Sequence, residues 1–244
     1  VELLKSGAVD YFVKSKDIRD KLLNTVELIK ERQGLKQKIS RLEKEVEKKY
    51  NFQDRLIGSS SNFQSLFPLI EKAAATNITV TISGETGTGK ELVAKALWQA
   101  GPYRDKPFIP INCGAISDHL LQSELFGHQK GAFTGAFQDH KGVFEEAGDG
   151  IVFLDEIGEI SSVMQISLLR ILEAKEFRPV GSNINKKLKC KIITATNRNL
   201  NELVKSGLFR SDLQFRLERL TIEIPALRDR SSDIPILIDY FLNK

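Results

Sequence analysis

Apolar positions in the first fifty residues recur at spacings of three and four: Leu22, Val26 and Ile29, then Leu35, Ile39, Leu42 and Val46, with Lys and Glu between them. This period lays one apolar stripe along a helix from Ile18 to Tyr50, and its phase slips by one residue around Gln33-Gly34, predicting a bend or register change there. Such a stripe serves either a dimerising coiled coil or one helix lying on its neighbour; two phased stretches favour a dimer linker over residues 18–50. Past a small, polar stretch at Asn51–Ser61 the pattern changes. Short β-branched runs now alternate with helical stretches, which is how βαβ units build an α/β fold around a parallel sheet. The predicted strands are Ile78–Ser83, Phe108–Asn112, Ile151–Leu154, Lys189–Thr196 and Leu220–Ile224, with Pro225 ending the last and a helix over Asp233–Leu242.

Composition narrows the function classes. With 244 residues and 41% hydrophobic content, the chain buries a sizeable core, and one large domain with appendages is expected. The net charge of +4 is unevenly spread: residues 1–50 hold 13 Lys and Arg against 9 Asp and Glu, and the other 194 residues carry 23 of each sign. A neutral main domain gives little reason for nucleic-acid binding there, because affinity for a phosphate backbone needs clustered cations. Any DNA binding is expected elsewhere than in this neutral main domain. Two distant cysteines, Cys113 and Cys190, fit reduced thiols rather than a disulfide framework or a zinc site. No run approaches the roughly 20 apolar residues of a membrane span, so a cytoplasmic protein without membrane partners is expected. The chain lacks an initiator Met and its helical pattern still runs at Phe241-Leu242-Asn243-Lys244, so a fragment of a longer protein is expected.

The chemistry concentrates after strand ends. Gly84-Glu85-Thr86-Gly87-Thr88-Gly89-Lys90 follows the first main-domain strand and precedes an amphipathic helix. A P-loop needs this context: glycines let backbone N–H groups curl around phosphates, Lys90 neutralises the β/γ oxygens, and the helix N-terminus adds its positive end. Glu91 stands where a Ser or Thr usually ligates magnesium. Taken alone that suggests a broken site, but magnesium can be held by phosphate oxygens, water and an acidic strand tip. Ile151-Val152-Phe153-Leu154-Asp155-Glu156 supplies such a tip, reading as Walker B, with Asp155 placed to hold Mg2+ and Glu156 to orient and deprotonate the attacking water. Two polar residues, Asn112 and Asn197, end other strands. Asn197 suits a sensor beside the γ-phosphate and Asn112 a partner that restrains Glu156; the other reading of each is a turn cap. Arg210 and Arg216 lie six apart, positioned for internal salt bridges to Asp212 or Glu218, or for reaching a neighbouring subunit's γ-phosphate.

At the N-terminus, Gly7-Ala8-Val9-Asp10-Tyr11-Phe12-Val13-Lys14 is a short apolar strand ending in lysine, and it resembles the last strand of a two-component receiver domain. The resemblance implies that Lys14 pairs with a phosphorylated aspartate upstream and that a sensor kinase is a partner. Ser15 stands where that family usually has proline, and an ordinary strand capped by a solvated lysine is the other reading.

The remaining motifs, GETGTGKE at 84–91, SELFGHQKGAFTGA at 123–136, GIVFLDEIGE at 150–159, ATNRNL at 195–200 and FRSDLQFRL at 209–217, together closely resemble the AAA+ ATPase domain of bacterial enhancer-binding proteins, the NtrC-like activators of sigma-54 RNA polymerase. The likeness runs from about Leu56 to the chain end. It implies a P-loop NTPase using ATP and Mg2+, with Glu91 normal after the lysine. It further implies that Asn112 and Glu156 form a glutamate switch, that Asn197 is the sensor, and that Arg210 and Arg216 are trans-acting fingers in a hexameric ring. Gly131-Ala132-Phe133-Thr134-Gly135-Ala136 then resembles the loop touching sigma-54, with Phe133 and Thr134 at its tip; without the family, a Gly-rich turn burying Phe133 would be the reading. The implied domain order is a receiver tail over 1–17, a helical dimerisation linker over 18–50, an AAA+ core over 51–230 and the start of a lid subdomain over 231–244. The functional expectation is an ATP-driven activator that opens sigma-54 promoters, with a different AAA+ remodeller, or an ATP-binding, phosphorylation-controlled scaffold with little turnover, as alternatives.

Overall fold

The computed structural model describes residues 56–243 together with Arg32. The expectations for residues 1–17, including Lys14, and for the linker over 18–50 lie outside the described residues, Arg32 apart. The described elements are, in order, a short helix at Ser61–Gln64, α1 (Leu66–Ala74), β1 (Val80–Ser83), α2 (Lys90–Ala100), β2 (Phe108–Asn112), α3 (Asp118–Phe126), β3 (Gly127–His128), β4 (His140–Lys141), a helical turn at Val143–Glu146, β5 (Ile151–Asp155), α4 (Ser162–Ala174), β6 (Glu176–Phe177), β7 (Lys186–Lys187), β8 (Lys191–Thr196), α5 (Leu200–Lys205), α6 (Ser211–Leu217), β9 (Leu220–Glu223), 3₁₀ turns over Leu227–Asp233, and α7 (Ile234–Leu242).

Five strands form one sheet in the order β2-β5-β8-β1-β9, and every neighbouring pair runs parallel. Parallel sheets are covered on both faces, and the unbroken apolar run of β5 is the sequence form of that burial. Its residues alternate between two cores: Ile151 and Phe153 pack with Ile82, Leu97 and Ile193, while Val152 and Leu154 pack with Leu121, Leu168 and Leu213 on the other face. Ser161 caps α4 by accepting from the Met164 N–H, and Asn199 caps α5 by accepting from the N–H groups of Asn201 and Glu202. Two hairpins, β3-β4 and β6-β7, stand apart from the main sheet.

All five predicted main-sheet strands form, with shifted ends. β1 and β8 begin two residues late, at Val80 and Lys191, and β5 extends one residue to include Asp155. β9 stops at Glu223, although Ile224 still donates to the Ser83 carbonyl at 2.8 Å before Pro225, which has no N–H, ends the ladder. The last helix starts at Ile234, because Asp233 is buried and turned inward.

One buried polar residue on β8 stabilises the sheet's junction with α1. Lys191, 1% exposed, donates from Nζ to the carbonyls of Ala73 at 2.6 Å and Thr76 at 2.8 Å, which lie at the C-terminal end of α1. The negative end of a helix favours a cation, but burial dominates and pushes the Lys191 amine down to about 8. Since the folded value lies below the unfolded one, the unfolded chain binds more protons between the two, so this residue's contribution to stability rises with pH from about 8 towards 10.5. Urea unfolding of wild type and Lys191→Met at pH 7.5 and 9.5 is expected to show the wild type gaining on the variant at the higher pH.

Candidate functional site

Parallel strands deliver their C-terminal tips to one edge of the sheet, and the loops leaving that edge carry the candidate residues. After β1, residues 84–89 turn back before α2 begins at Lys90. The turn is closed by Thr88, whose N–H and Oγ1 both donate to the Glu85 carbonyl, at 3.3 and 2.8 Å. Gly87 and Gly89 hold φ of +82° and +97°, a left-handed backbone that other residues adopt only under strain. Lys90 Nζ donates to the carbonyls of Gly84 at 2.9 Å and Glu85 at 3.0 Å, so its charge sits inside the loop at the helix N-terminus. Burial pushes the Lys90 amine below its ordinary value, while Asp155 and Glu156 act in the opposite sense. The parallel register of β1, β8 and β5 sets the acidic tip of β5 at the same sheet edge as this loop. Glu91, on the first turn of α2, pairs with Lys95 at 2.7 Å along the helix surface.

At the β5 tip, Asp155 Oδ1 accepts from the Glu156 N–H at 2.9 Å. Glu156 itself has φ 54° and ψ 42°, a left-handed conformation that costs a non-glycine residue about 1–3 kcal/mol and concentrates at functional sites. Its carboxylate lies against Gly114, where an added Cβ would stand 2.5 Å from Glu156 Oε2 and displace the end of that side chain. Asn112 is the in-register partner of Asp155, but its Oδ1 accepts from the N–H groups of Gly114 and Ala115 at 2.8 and 3.0 Å. It caps the turn that brings Gly114 under Glu156; no Asn112–Glu156 hydrogen bond forms among the described residues. Asn197, past the β8 tip, donates from Nδ2 to Thr86 Oγ1 of the P-loop at 3.1 Å. Gly84 N–H donates to the Thr196 carbonyl at 3.2 Å, which fixes the two tips together. Among the described residues no group of three or more His, Cys, Asp or Glu side chains could hold an ion unaided. Asp155, a hard oxygen donor beside a phosphate-binding loop, fits Mg2+, which keeps most of its coordination for phosphate oxygens and water.

A largely apolar cleft of about 910 Å3 opens beside the loop, lined among others by Gly87, Gly89, Leu56 and Ile57 and by Ile234 and Ile238 of α7. Three charged residues of the turns over Leu227–Asp233 escape the motif reading. Arg228 grips Glu85 in the P-loop through two hydrogen bonds, Nη1 to Oε2 at 2.8 Å and Nη2 to Oε1 at 2.7 Å. Arg230 donates to the Thr88 carbonyl at 3.1 Å and stacks over the Phe63 ring at 4.5 Å. Asp233, fully buried, accepts from the N–H groups of Ser59 and Ser60 at 2.7 and 2.8 Å and from Ser60 Oγ at 2.9 Å. Burial pushes the Asp233 carboxyl up, but those bonds and the Arg230 charge outweigh it and leave the group below its ordinary value. The only sequence signal was the dense charge of Arg228-Asp229-Arg230 straight after a strand-ending proline.

Arg210 and Arg216 make no bond to the P-loop of their own chain among the described residues. Arg210 forms a bidentate pair with Asp212, at 3.0 and 2.7 Å, as one reading of the sequence expected. Arg216 bonds Glu173 at 3.3 Å and not Glu218, which is taken by Gln214 at 2.7 Å. Both guanidinium groups are exposed.

Gly131–Ala136 forms the tip between β3 and β4, away from the strand tips of the main sheet. Gly131 N–H donates to the Ala136 carbonyl at 2.8 Å across the loop, and Gly131 and Gly135 both take positive φ. Phe133 is 43% exposed, with its ring edge-on to His128 at 4.9 Å. A turn that buries Phe133 is therefore overturned: the loop lacks a neighbouring core, and Ala136 alone among its residues is buried.

Comparison with known proteins agrees with this layout. The family described as "Sigma-54 interaction domain" matches residues 56–223. The Nif-specific regulatory protein of Herbaspirillum seropedicae is 46% identical over 214 residues, covering 88% of this chain and 39% of that protein. The transcriptional regulatory protein ZraR of Salmonella typhimurium is 44% identical over 244 residues, covering 100% of this chain and 54% of that protein. Among solved structures, NtrX from Brucella abortus in complex with ADP superposes with TM-score 0.72 at 32% identity, covering 99% of this chain and 50% of that one. This chain thus spans between about two fifths and about half of the relatives it matches.

Replacing Asp233 with alanine strips four donors, the N–H and Oγ of Ser59 and of Ser60, of their acceptor and removes the negative charge that favours the Arg230 cation. A loss of about 2–4 kcal/mol in unfolding free energy is expected, measured by chemical denaturation.

Proposed function

The chain belongs to the sigma-54 interaction domain family, a family of P-loop AAA+ NTPases, and from that premise we propose that it hydrolyses ATP to drive sigma-54 RNA polymerase into the open promoter complex. One observation carries the catalytic half of the reading: the parallel register of β1, β8 and β5 sets the β5 tip, with Asp155 and Glu156, at the same sheet edge as the loop that leads into Lys90. A triphosphate bound over residues 84–90 would displace the loop's own carbonyls as partners of Lys90, and the α2 N-terminus would add its positive end. Magnesium, when bound, would neutralise charge between the β- and γ-phosphates, with Asp155 its protein ligand. Glu156 would take a proton from the water attacking the γ-phosphorus as the bond to the β–γ bridging oxygen breaks, giving ADP and phosphate. Its left-handed backbone aims the carboxylate over Gly114, and Asn112 holds that glycine in place. Asn197, already bonded to Thr86, would report the γ-phosphate to β8.

Arg210 and Arg216 are exposed and would act on a neighbouring subunit's nucleotide in a homo-oligomeric ring, Arg210 after exchanging Asp212 for phosphate. The finger at 131–136 would touch sigma-54, supported by the exposure of Phe133 and Thr134. Control by a sensor kinase through a receiver containing Lys14, dimerisation through residues 18–50, a lid beginning near residue 231, DNA binding through a further domain and a cytoplasmic location complete the proposal. No helix among the described residues is long and apolar enough to cross a membrane.

Two substitutions test the halves separately. Glu156→Ala is expected to bind ATP normally but hydrolyse it about 10²–10⁴-fold more slowly in single-turnover assays. Near wild-type turnover would remove Glu156 from the mechanism. Thr134→Ala is expected to keep ATP hydrolysis within about twofold while losing open-complex formation at a sigma-54 promoter; unchanged opening would detach the finger from the partner.

A further inference from the structure

The finger carries a second aromatic residue outside the GAFTGA sequence. Phe137 follows it directly and is 86% exposed, more than any other large hydrophobic side chain among the described residues. Its backbone is nonetheless fixed. The Phe137 N–H donates to the Gly135 carbonyl at 2.9 Å, and the preceding residue, Ala136, is buried and tied to Gly131. Two residues later Asp139 Oδ1 accepts from the Lys130 N–H at 2.7 Å, which closes the finger's base. The β6-β7 hairpin braces the same base: Gln129 N–H donates to the Val180 carbonyl and Val180 N–H to the Gly127 carbonyl, both at 2.9 Å. Gly181 lies so close that a Cβ there would come within 2.8 Å of Ala132 Cβ. A braced backbone therefore holds one phenyl ring in water, where it contributes nothing to the domain's own core.

Phe133 is placed differently. Its ring leans on His128, whose Nδ1 is fixed by Ser123 Oγ of α3 at 2.7 Å, so presenting its whole surface means giving up an aromatic contact. The tip also lacks charge: residues 131–138, Gly-Ala-Phe-Thr-Gly-Ala-Phe-Gln, contain no ionisable side chain. Without a cation to neutralise phosphate, this surface suits an uncharged, apolar protein groove and not a nucleic-acid backbone.

We propose that Phe137 is a second aromatic contact for sigma-54, presented in every nucleotide state, while Phe133, parked on His128, is the contact that nucleotide turnover releases. This rests on the reading of the finger given above. Phe137 then sets a standing affinity for the partner, and Phe133 adds the part that depends on ATP.

The test measures binding of purified sigma-54 to the full chain without nucleotide, with ADP, and with ADP and aluminium fluoride. Phe137→Ala is expected to weaken binding by a similar factor, on the order of tenfold, in every state where the wild type binds, since an anchored phenyl ring is worth about that much. Phe137→Trp should restore it, and Phe133→Ala should weaken only the aluminium fluoride state. Wild-type affinity in Phe137→Ala, wild-type binding in the aluminium fluoride state alone, a loss confined to one of several states in which the wild type binds, or a changed oligomer mass by light scattering would each overturn the proposal. If wild type binds sigma-54 in no state, the finger's assignment itself fails, which is a result distinct from an inert Phe137.

Discussion

Everything chemical in this domain depends on the in-register parallel ladder of its central sheet. Parallel strands finish at one edge, and the registers of β2, β5, β8 and β1 bring Asn112, Asp155, Thr196 and Ser83 to that edge together. The loops leaving it have no freedom to disperse: Gly84 is bonded to Thr196, and Cys113 N–H to the Asp155 carbonyl at 2.9 Å. Two cores, one on each face, hold the register, since a slip of one residue on β5 would exchange Ile151 and Phe153 for Val152 and Leu154 across the sheet. Catalytic geometry is in this sense a by-product of apolar packing.

Around that edge the charges are arranged so that each has a partner without substrate. Lys90 is satisfied by the carbonyls of its own loop, Glu85 by Arg228, and Arg210 by Asp212. Exposed pairs of this type add little to stability. On the proposed function their worth lies in exchange: a nucleotide or a neighbouring subunit would compete against weak partners and need not displace strong ones. Glu156 is the exception, held in a costly backbone conformation that the surrounding turn imposes.

The elements legible in the sequence were those written in local pattern. The five strands, the P-loop and the acidic tip follow from apolar runs, glycine spacing and residue order, whereas the exposed finger followed only from the family resemblance; strand ends erred by one or two positions where flanking residues such as Ile78 and Lys189 extend the run without joining the ladder. What stayed hidden was contact between distant segments. Asp233 reaches Ser59 across 174 positions and Arg228 reaches Glu85 across 143, and no periodicity encodes such pairs. Asn112 was read either as restraining Glu156 or as capping a turn; the structure shows the cap, and that it seats Gly114 required the backbone geometry of the turn. Lys191 stood in a run of lysines, and only the fold distinguishes it as the one driven into the interior beneath α1.

The buried carboxylate of Asp233 deserves a mechanical reading. It fastens the point where the chain enters the domain, at Ser59 and Ser60, to the point where the chain departs along α7. Three residues before it, Arg230 rests on the Thr88 carbonyl. A displacement at either end would therefore be passed through this one rivet towards the rim of the glycine-rich loop.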